Sequence, residues 1–265
     1  MQAQKNIRAW NAYEKTQLGR YKINIDSLPD DTTSPVEYLT GWVDFCAYSF
    51  KVTTDTLIPR PESEELVQRA LEWISQQDNA KICRVIDVGT GCGAIALSLA
   101  QMVKRPINIT ASEISESALA IAKQNAELFN QISITWVVAD LLSFLNPNEK
   151  VDLIIANLPY IPHERIDYLD ASVKDFEPHI ALDGGESGLS LIASLLNQAK
   201  NHLTKEGTIL LEIDYTHADE LRQQFCADWR IVTWQSQISL CTFAQLWPIT
   251  NHEHQPMSSP RALGL

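Results

Sequence analysis

The stretch Val85-Ile86-Asp87-Val88-Gly89-Thr90-Gly91-Cys92-Gly93-Ala94 decides the fold. An apolar run over 82–88 enters a turn with glycine at alternate positions, and the turn opens a helical pattern over 94–103. Glycine permits the tight turn and lets the backbone approach a ligand with no Cβ in the way. Tight strand-to-helix turns also use glycine for steric reasons alone, so the flanking pattern has to carry the reading. Strands are expected over 107–113, 132–139, 151–156, 208–213, 231–234 and 239–246, and helices over 117–129, 189–203 and 218–226. This alternation specifies a mostly parallel seven-stranded sheet with helices on both faces. Upstream, residues 1–20 read as a helix, 26–35 as a loop and 42–53 as a short aromatic hairpin. Pro59 and Pro61 then introduce a helix over 62–77, with Glu62, Glu64 and Glu65 at its positive N-terminus.

The chain has 265 residues, enough for one large domain with a small appendage. Its 21 Lys+Arg and 33 Asp+Glu give a net charge of −12. Residues 1–40 hold 5 of each sign, so positions 41–265, with 16 basic and 28 acidic side chains, carry the whole deficit. Such a surface repels phosphate backbones, and direct binding to nucleic acid is not expected. A hydrophobic fraction of 45% excludes disorder across most of the chain. No run of 18 apolar residues appears, and the first residues have neither the apolar core nor the cleavage site of a secretory signal. The five cysteines, Cys46, Cys83, Cys92, Cys226 and Cys241, form no CxxC pair, which argues against zinc and against a disulfide framework. The expectation is a cytoplasmic protein with reduced thiols, no membrane association and no metal.

Asp87 stands two residues before Gly89, and Glu113 ends the second strand 20 residues after Gly93. A carboxylate at that strand end accepts ribose hydroxyls. Asp140, after the third strand, stands where an adenine amino group would lie. Dinucleotide and methyl-donor enzymes share this ribose logic. The spacing DxGxGxG differs from GxGxxG, however, and pyrophosphate needs the longer turn. S-adenosylmethionine carries no phosphate, and the tight turn suits its amino-acid end. Asn157-Leu158-Pro159-Tyr160 follows the buried strand VDLIIA, at the carboxyl edge where open α/β sheets bind ligands. An Asn side-chain oxygen and a neighbouring carbonyl suit a planar amino group, Pro159 stiffens the loop, and Tyr160 offers a stacking face.

Four segments then occur in order. They are Leu57-Ile58-Pro59-Arg60-Pro61-Glu62-Ser63-Glu64, the glycine turn continued to Leu97, Asn157-Leu158-Pro159-Tyr160-Ile161-Pro162, and Phe176-Glu177-Pro178-His179-Ile180-Ala181-Leu182-Asp183-Gly184-Gly185-Glu186-Ser187-Gly188-Leu189. Over about residues 35–225 the chain resembles the HemK/PrmC family of protein-(glutamine-N5) methyltransferases. The resemblance implies a Rossmann-like class I S-adenosylmethionine-dependent fold and methylation of the glutamine in the Gly-Gly-Gln loop of peptide chain release factors. Residues Asp87, Gly89, Thr90, Gly91, Cys92 and Gly93 would then serve the methionine portion of the cofactor, Glu113 its ribose, and Asp140 with Leu141 its adenine. Asn157 would touch both cofactor and substrate, and Asn157, Leu158, Pro159 and Tyr160 would hold the glutamine, with Asn157, Pro159 and Tyr160 the catalytic set. The implied organisation is a shortened N-terminal helical segment over 1–35, a linking hairpin over 36–60, a methyltransferase domain over 61–248 and a disordered tail over 249–265.

The chain departs from the family pattern at several points. Glu113 stands where Asp is usual, and NLPY replaces NPPY; Leu158 keeps the carbonyl but not proline's fixed φ. NLPY is also the form of ribosomal-RNA adenine dimethyltransferases, which supplies a second reading. Against it stand the acidic charge, the IPRPESE segment and the aspartate that opens the glycine motif. A third reading is a catalytically silent cofactor-binding module. The resemblance implies an N-terminal helical region that helps the family grip its partner, and here that region is expected to be shortened to about 35 residues. His163 reads as a solvated loop residue, and Asn251-His252-Glu253-His254 as too sparse for a metal. Arg60 and Glu62 read equally as a surface ion pair or as a clasp over the cofactor.

Overall fold

A computed structural model describes residues 8–29, 32–129 and 132–249. Helix α1 (Ala12–Arg20) starts at Asn11, where a reciprocal capping box forms: the Asn11 side chain accepts from Glu14 N, and the Glu14 carboxylate accepts from Asn11 N. This box satisfies two backbone N–H groups at the helix start, and among the described residues the helix expected over 1–20 begins at Ala12. The expectation for residues 1–7 falls outside the described residues. A short helix α2 (Val36–Thr40), unforeseen in the sequence, ends on left-handed Gly41 and leads into β1 (Trp42–Phe45). β1 pairs antiparallel with β2 (Tyr48–Lys51), and Cys46 and Ala47 both take positive φ, as a two-residue hairpin turn requires. A 3-10 turn, Pro61–Ser63, precedes α3 (Glu64–Ser75), whose first turn carries Glu64 and Glu65.

The alternating part follows: β3 (Cys83–Val88), α4 (Ala94–Met102), β4 (Ile107–Glu113), α5 (Glu116–Ala126), β5 (Ile134–Val138) and β6 (Val151–Ala156). The long loop after β6 holds 3-10 turns at His163–Tyr168 and His179–Ala181 around a one-turn α6 (Ala171–Lys174). The chain then runs through α7 (Ser190–Ala199), β7 (Leu203–Ile213), α8 (His217–Phe225), β8 (Trp229–Gln235) and β9 (Thr242–Pro248). Two expectations are corrected here. The helix expected over 189–203 stops at Ala199, and the strand expected from 208 begins at Leu203. Leu203 pairs with Val151, and a register shift between Val151 and Leu153 absorbs the extra residues. Exposed Lys205 and Glu206 break the apolar pattern of that strand in the sequence. The last two strands form one hairpin in register from Trp229↔Pro248 to Gln235↔Thr242, which lengthens the first and shifts the second from 239–246. Residues 250–265, where most of the expected disordered tail and the two tail histidines lie, are outside the described residues.

The seven strands lie in the order β5-β4-β3-β6-β7-β9-β8, parallel from β5 through β7, with β9 antiparallel to both neighbours. Alternate residues of each central strand serve opposite faces. Val85, Leu153, Ile155 and Leu210 pack with Leu66, Ala70 and Ile74 of α3, and with Ala96 and Leu99 of α4. Ile86, Val88, Ile154 and Leu211 pack on the other side with Ile192, Leu195 and Leu196 of α7 and Leu221 of α8. Both sides of β3 and β6 are therefore buried, which is why CRVIDV and VDLIIA read as nearly continuous apolar runs. No described helix is long and apolar enough to cross a membrane.

The hairpin caps the sheet beside the glycine turn. Phe45, Phe50 and Val52 pack with Cys92, Leu97 and Ile121. One fully buried side chain ties the pieces: Asn125 of α5 accepts from Lys51 N at 2.7 Å and donates to Lys51 O at 3.0 Å and to Cys92 O at 2.9 Å. Asn125→Ala strands these three backbone groups without partners. The expected loss is on the order of 2–3 kcal/mol in urea unfolding, and an unchanged midpoint would contradict this tie.

Candidate active site

The strand order reverses between β3 and β6: β4 and β5 lie beyond β3 on one side, and β6 begins the other. Ligands of open α/β sheets bind at such a switch point, outside the carboxyl ends of the strands. Val88 pairs with Ala156, so the turn at 89–93 and the loop at 157–160 leave the sheet side by side. A cleft of roughly 1100 Å³, open solvent at its mouth included, lies over both. Of the residues picked from the sequence, Gly89, Thr90, Gly91, Cys92, Glu113, Asp140, Leu141, Asn157, Leu158 and Pro159 line it.

The turn is built by its glycines and braced from below. Gly89, Gly91 and Gly93 all have positive φ. A Cβ on Gly93 would lie 3.1 Å from Ala122 and Leu97 side-chain atoms, so Gly93 serves helix packing, not the cavity. Asp87 is buried beneath the turn, accepting from Thr90 Oγ1 at 2.6 Å and Ala96 N at 3.2 Å, while its Oδ1 has no partner. Burial outweighs these hydrogen bonds and raises its pKa from 3.8 to about 7. Cys92 is buried too, and burial pushes its thiol up to about 12, so it stays protonated and non-nucleophilic.

Glu113, the longer carboxylate, reaches back to the turn: Oε2 accepts from Gly91 N at 2.9 Å and Oε1 from Ile114 N and Ser115 N at 2.9 and 3.1 Å. These backbone donors hold it at the cleft. Asp140 is exposed at the rim, and Leu141 beside it holds a left-handed φ of 52° that its buried side chain stabilises. The charged lining consists of three carboxylates, Asp55, Glu113 and Asp140, with no Lys, Arg or His among the described residues. Such a lining repels phosphate and suits a cationic ligand, as the sulfonium of S-adenosylmethionine is.

On the other wall, Asn157 Nδ2 donates to Ser63 Oγ at 3.0 Å. Among the described residues, Asn157 Oδ1 and the Leu158 carbonyl accept no hydrogen bond. Tyr160 does not join them at the cleft. Its hydroxyl donates to Glu212 Oε1 at 3.1 Å, and Tyr160 lines a separate cleft with Arg60, Glu62 and Glu212. The second glycine cluster buttresses this loop: a Cβ on Gly188 would lie 2.3 Å from Tyr160 O, and one on Gly184 would lie 2.7 Å from Tyr160 Cα. Arg60 pairs not with Glu62 but with buried Glu177, at 2.5 Å, joining the two proline-containing segments at the cleft. His163 is exposed but lies 2.7 Å from Asp183 through Nδ1.

Sequence reasoning did not single out Ser63, Glu177 or Glu212. Glu212 had a signal: one carboxylate in the otherwise apolar run Ile209 to Ile213, where an unpaired charge is rare. The apolar lining supplied by Phe45, Leu57, Ile95 and Ile180 is not marked as such in the sequence, because each sits in a different element.

A parallel switch-point sheet ending in an antiparallel hairpin, with a glycine turn, a strand-end carboxylate at its cleft and a cation-tolerant lining, defines the class I S-adenosylmethionine-dependent methyltransferases. A family pattern described as a methyltransferase domain matches residues 79–257. The hMettl16 catalytic domain, solved in complex with MAT2A 3'UTR hairpin 6, shares the fold at TM-score 0.62 and 16% identity, over 89% of this chain and 91% of that one. The ribosomal protein L11 methylase of Lactobacillus delbrueckii subsp. bulgaricus does so at 0.53 and 19%, over 71% and 80%. Sequence relatives are nearer. The release factor glutamine methyltransferase of Koribacter versatilis (strain Ellin345) is 40% identical over 195 residues, 74% of this chain and 68% of the relative. That of Lactococcus lactis subsp. lactis (strain IL1403) is 39% identical over 191 residues, 72% and 68%. The chain belongs to the release factor glutamine methyltransferase family.

The raised pKa of Asp87 has a measurable consequence. A folded pKa above the unfolded 3.8 contributes stability that is full below pH 3.8 and lost as pH rises through about 7. Asp87→Asn does not titrate. The stability of the natural protein relative to Asp87→Asn is therefore expected to fall between about pH 4 and pH 7 in urea unfolding. A pH-independent difference would show that Asp87 ionises normally.

Proposed function

We propose that this chain transfers a methyl group from S-adenosylmethionine to the side-chain amide nitrogen, N5, of the glutamine in the Gly-Gly-Gln motif of peptide chain release factors. The observation that carries the reading is the pair of unengaged acceptors, Asn157 Oδ1 and the Leu158 carbonyl, on one wall of the cleft. A primary amide presents two N–H donors, and two acceptors on one short loop match them. The names borne by the sequence relatives support the substrate, and the −12 charge disfavours the RNA alternative.

In this reading the turn at 89–93 lies along the methionine portion of the donor, and Asp87 and Thr90 brace it from beneath. Glu113 meets the ribose, and Asp140 and Leu141 the adenine. When bound, S-adenosylmethionine supplies an electrophilic methyl group on a sulfonium. Asn157 and the Leu158 carbonyl hold the substrate NH₂. An amide nitrogen is a poor nucleophile because its lone pair is delocalised, and accepting both N–H bonds favours a less planar, more nucleophilic nitrogen. Pro159 disfavours helical backbone at Leu158, which keeps that carbonyl where the loop presents it. Tyr160 anchors the end of the loop on Glu212. Holding the nitrogen in line with the methyl group is the main source of acceleration, a positional effect. Among the described residues no histidine, lysine or arginine lines the cleft, in keeping with an amide proton that leaves to water.

Incubation with labelled S-adenosylmethionine, a release factor and ribosomal RNA tests the assignment. Label is expected on the Gly-Gly-Gln glutamine; label on RNA, or on nothing, overturns it. Asn157→Ala is expected to abolish transfer while calorimetry shows cofactor binding largely intact, and near-normal transfer by that variant would remove Asn157 from the mechanism. Glu113→Ala is expected to weaken cofactor binding first; an unchanged affinity would refute its ribose role.

A further inference from the structure

Asn157 can serve as an acceptor only if its oxygen, not its nitrogen, faces the substrate. The two ends of a side-chain amide are nearly the same size, so their hydrogen-bond partners choose between them. Asn157 Nδ2 donates to Ser63 Oγ at 3.0 Å. A hydroxyl that accepts this bond must send its own proton elsewhere, and Ser63 Oγ donates to Glu212 Oε2 at 2.6 Å. Glu212 stands near the end of β7, with Leu211, the residue before it, paired to Ala156. Its side chain points to the α3 side of the sheet, where Ser63 ends the preceding turn, and both residues are only 2% exposed.

Both oxygens of Glu212 accept, Oε2 from Ser63 and Oε1 from Tyr160, so Glu212 gives the chain of hydrogen bonds one direction: Asn157 N–H to Ser63, Ser63 O–H to Glu212. Without that terminal acceptor the Ser63 proton is free to turn toward Asn157. The amide then flips, and its NH₂ opposes the substrate NH₂. The Tyr160 hydroxyl lies 3.1 Å from Oε1, so one carboxylate holds the loop directly at Tyr160 and through Ser63 at Asn157. Burial raises the pKa of this carboxyl, and hydrogen bonds from Ser63, Tyr160 and Cys241 oppose that shift.

We propose that Ser63 and Glu212 are positioning residues that set the polarity of the Asn157 amide, Glu212 acting through the Ser63 hydroxyl. The kinetic consequence rests on the glutamine reading above; the polarity itself does not. Glu212→Gln keeps the shape and an oxygen to accept the Tyr160 hydroxyl, but puts a donor where Oε2 accepts the Ser63 proton. Its kcat on a Gly-Gly-Gln peptide is expected to fall about tenfold or more, with cofactor Kd within about twofold. Ser63→Ala should fall similarly, and Ser63→Thr, which restores the hydroxyl, should recover most of the rate. Because Glu212 acts through Ser63, the double variant Ser63→Ala/Glu212→Gln should be no slower than Ser63→Ala alone, within about twofold. Full kcat in Glu212→Gln, or losses that multiply in the double variant, would overturn the proposal. Should Glu212→Gln fail to fold, full kcat in Ser63→Ala overturns it equally. A second readout needs no substrate: the Asn157 side-chain amide protons, assigned in NMR spectra by their absence in Asn157→Ala. One is expected to be protected from exchange in the natural protein and unprotected in Ser63→Ala and Glu212→Gln. If the natural protein methylates no glutamine, the proposed function fails, and this readout still decides the polarity: protection that persists in both variants overturns it.

Discussion

The parallel pairing of β3 with β6 is the constraint on which the rest depends. Their registered ends, Val88 and Ala156, place the glycine turn and the Asn157 loop next to each other although nearly 70 residues separate them in the chain. Neither segment is a site alone. A glycine turn holds a ligand without choosing its chemistry, and an Asn-Leu-Pro-Tyr loop offers acceptors without a reactive partner. The switch in strand order opens a crevice only between these two strands, so the cleft is a consequence of topology.

Buried polar contacts secure this geometry against the freedom of the loops. Asn125 fastens the hairpin to the turn, the Arg60–Glu177 pair fastens two proline-bearing segments at the cleft, and Glu212 holds the loop at 157–160 directly at Tyr160 and through Ser63 at Asn157. Each joins elements distant in sequence, and each is costly to leave half-made, because a buried polar group without a partner loses its hydration for nothing. The molecule thus holds its reactive groups by a few directional contacts set in an apolar frame.

Much of the fold was legible because both faces of the sheet are covered: buried strands show as unbroken apolar runs, and the glycine turn marks where the first one ends. The boundaries that failed were those where tertiary pairing outweighed local pattern. Leu203 joins β7 through Val151 despite the polar residues after it, and the closing hairpin is set by cross-strand register. The glycine turn, Glu113, Asp140 and the Asn157 loop were legible as candidates because each residue type sits at a strand end. Ser63 was passed over inside a motif that reads as a helix start, and Tyr160 reads in sequence as a stacking residue although its hydroxyl is spoken for by Glu212.

By itself the sequence determined the class of the fold, the family and a set of candidate groups for the cleft, since these follow from periodicity, strand-end chemistry and motifs contiguous in the chain. Only the tertiary structure decided which of those groups face the cleft, which end of the Asn157 amide is free, and that the glycine cluster at 184–188 buttresses Tyr160 and does not line the cavity. The physical reason is that a hydrogen bond's direction depends on its partner. Here the partners, Ser63 and Glu212, stand 94 and 55 residues away along the chain from Asn157.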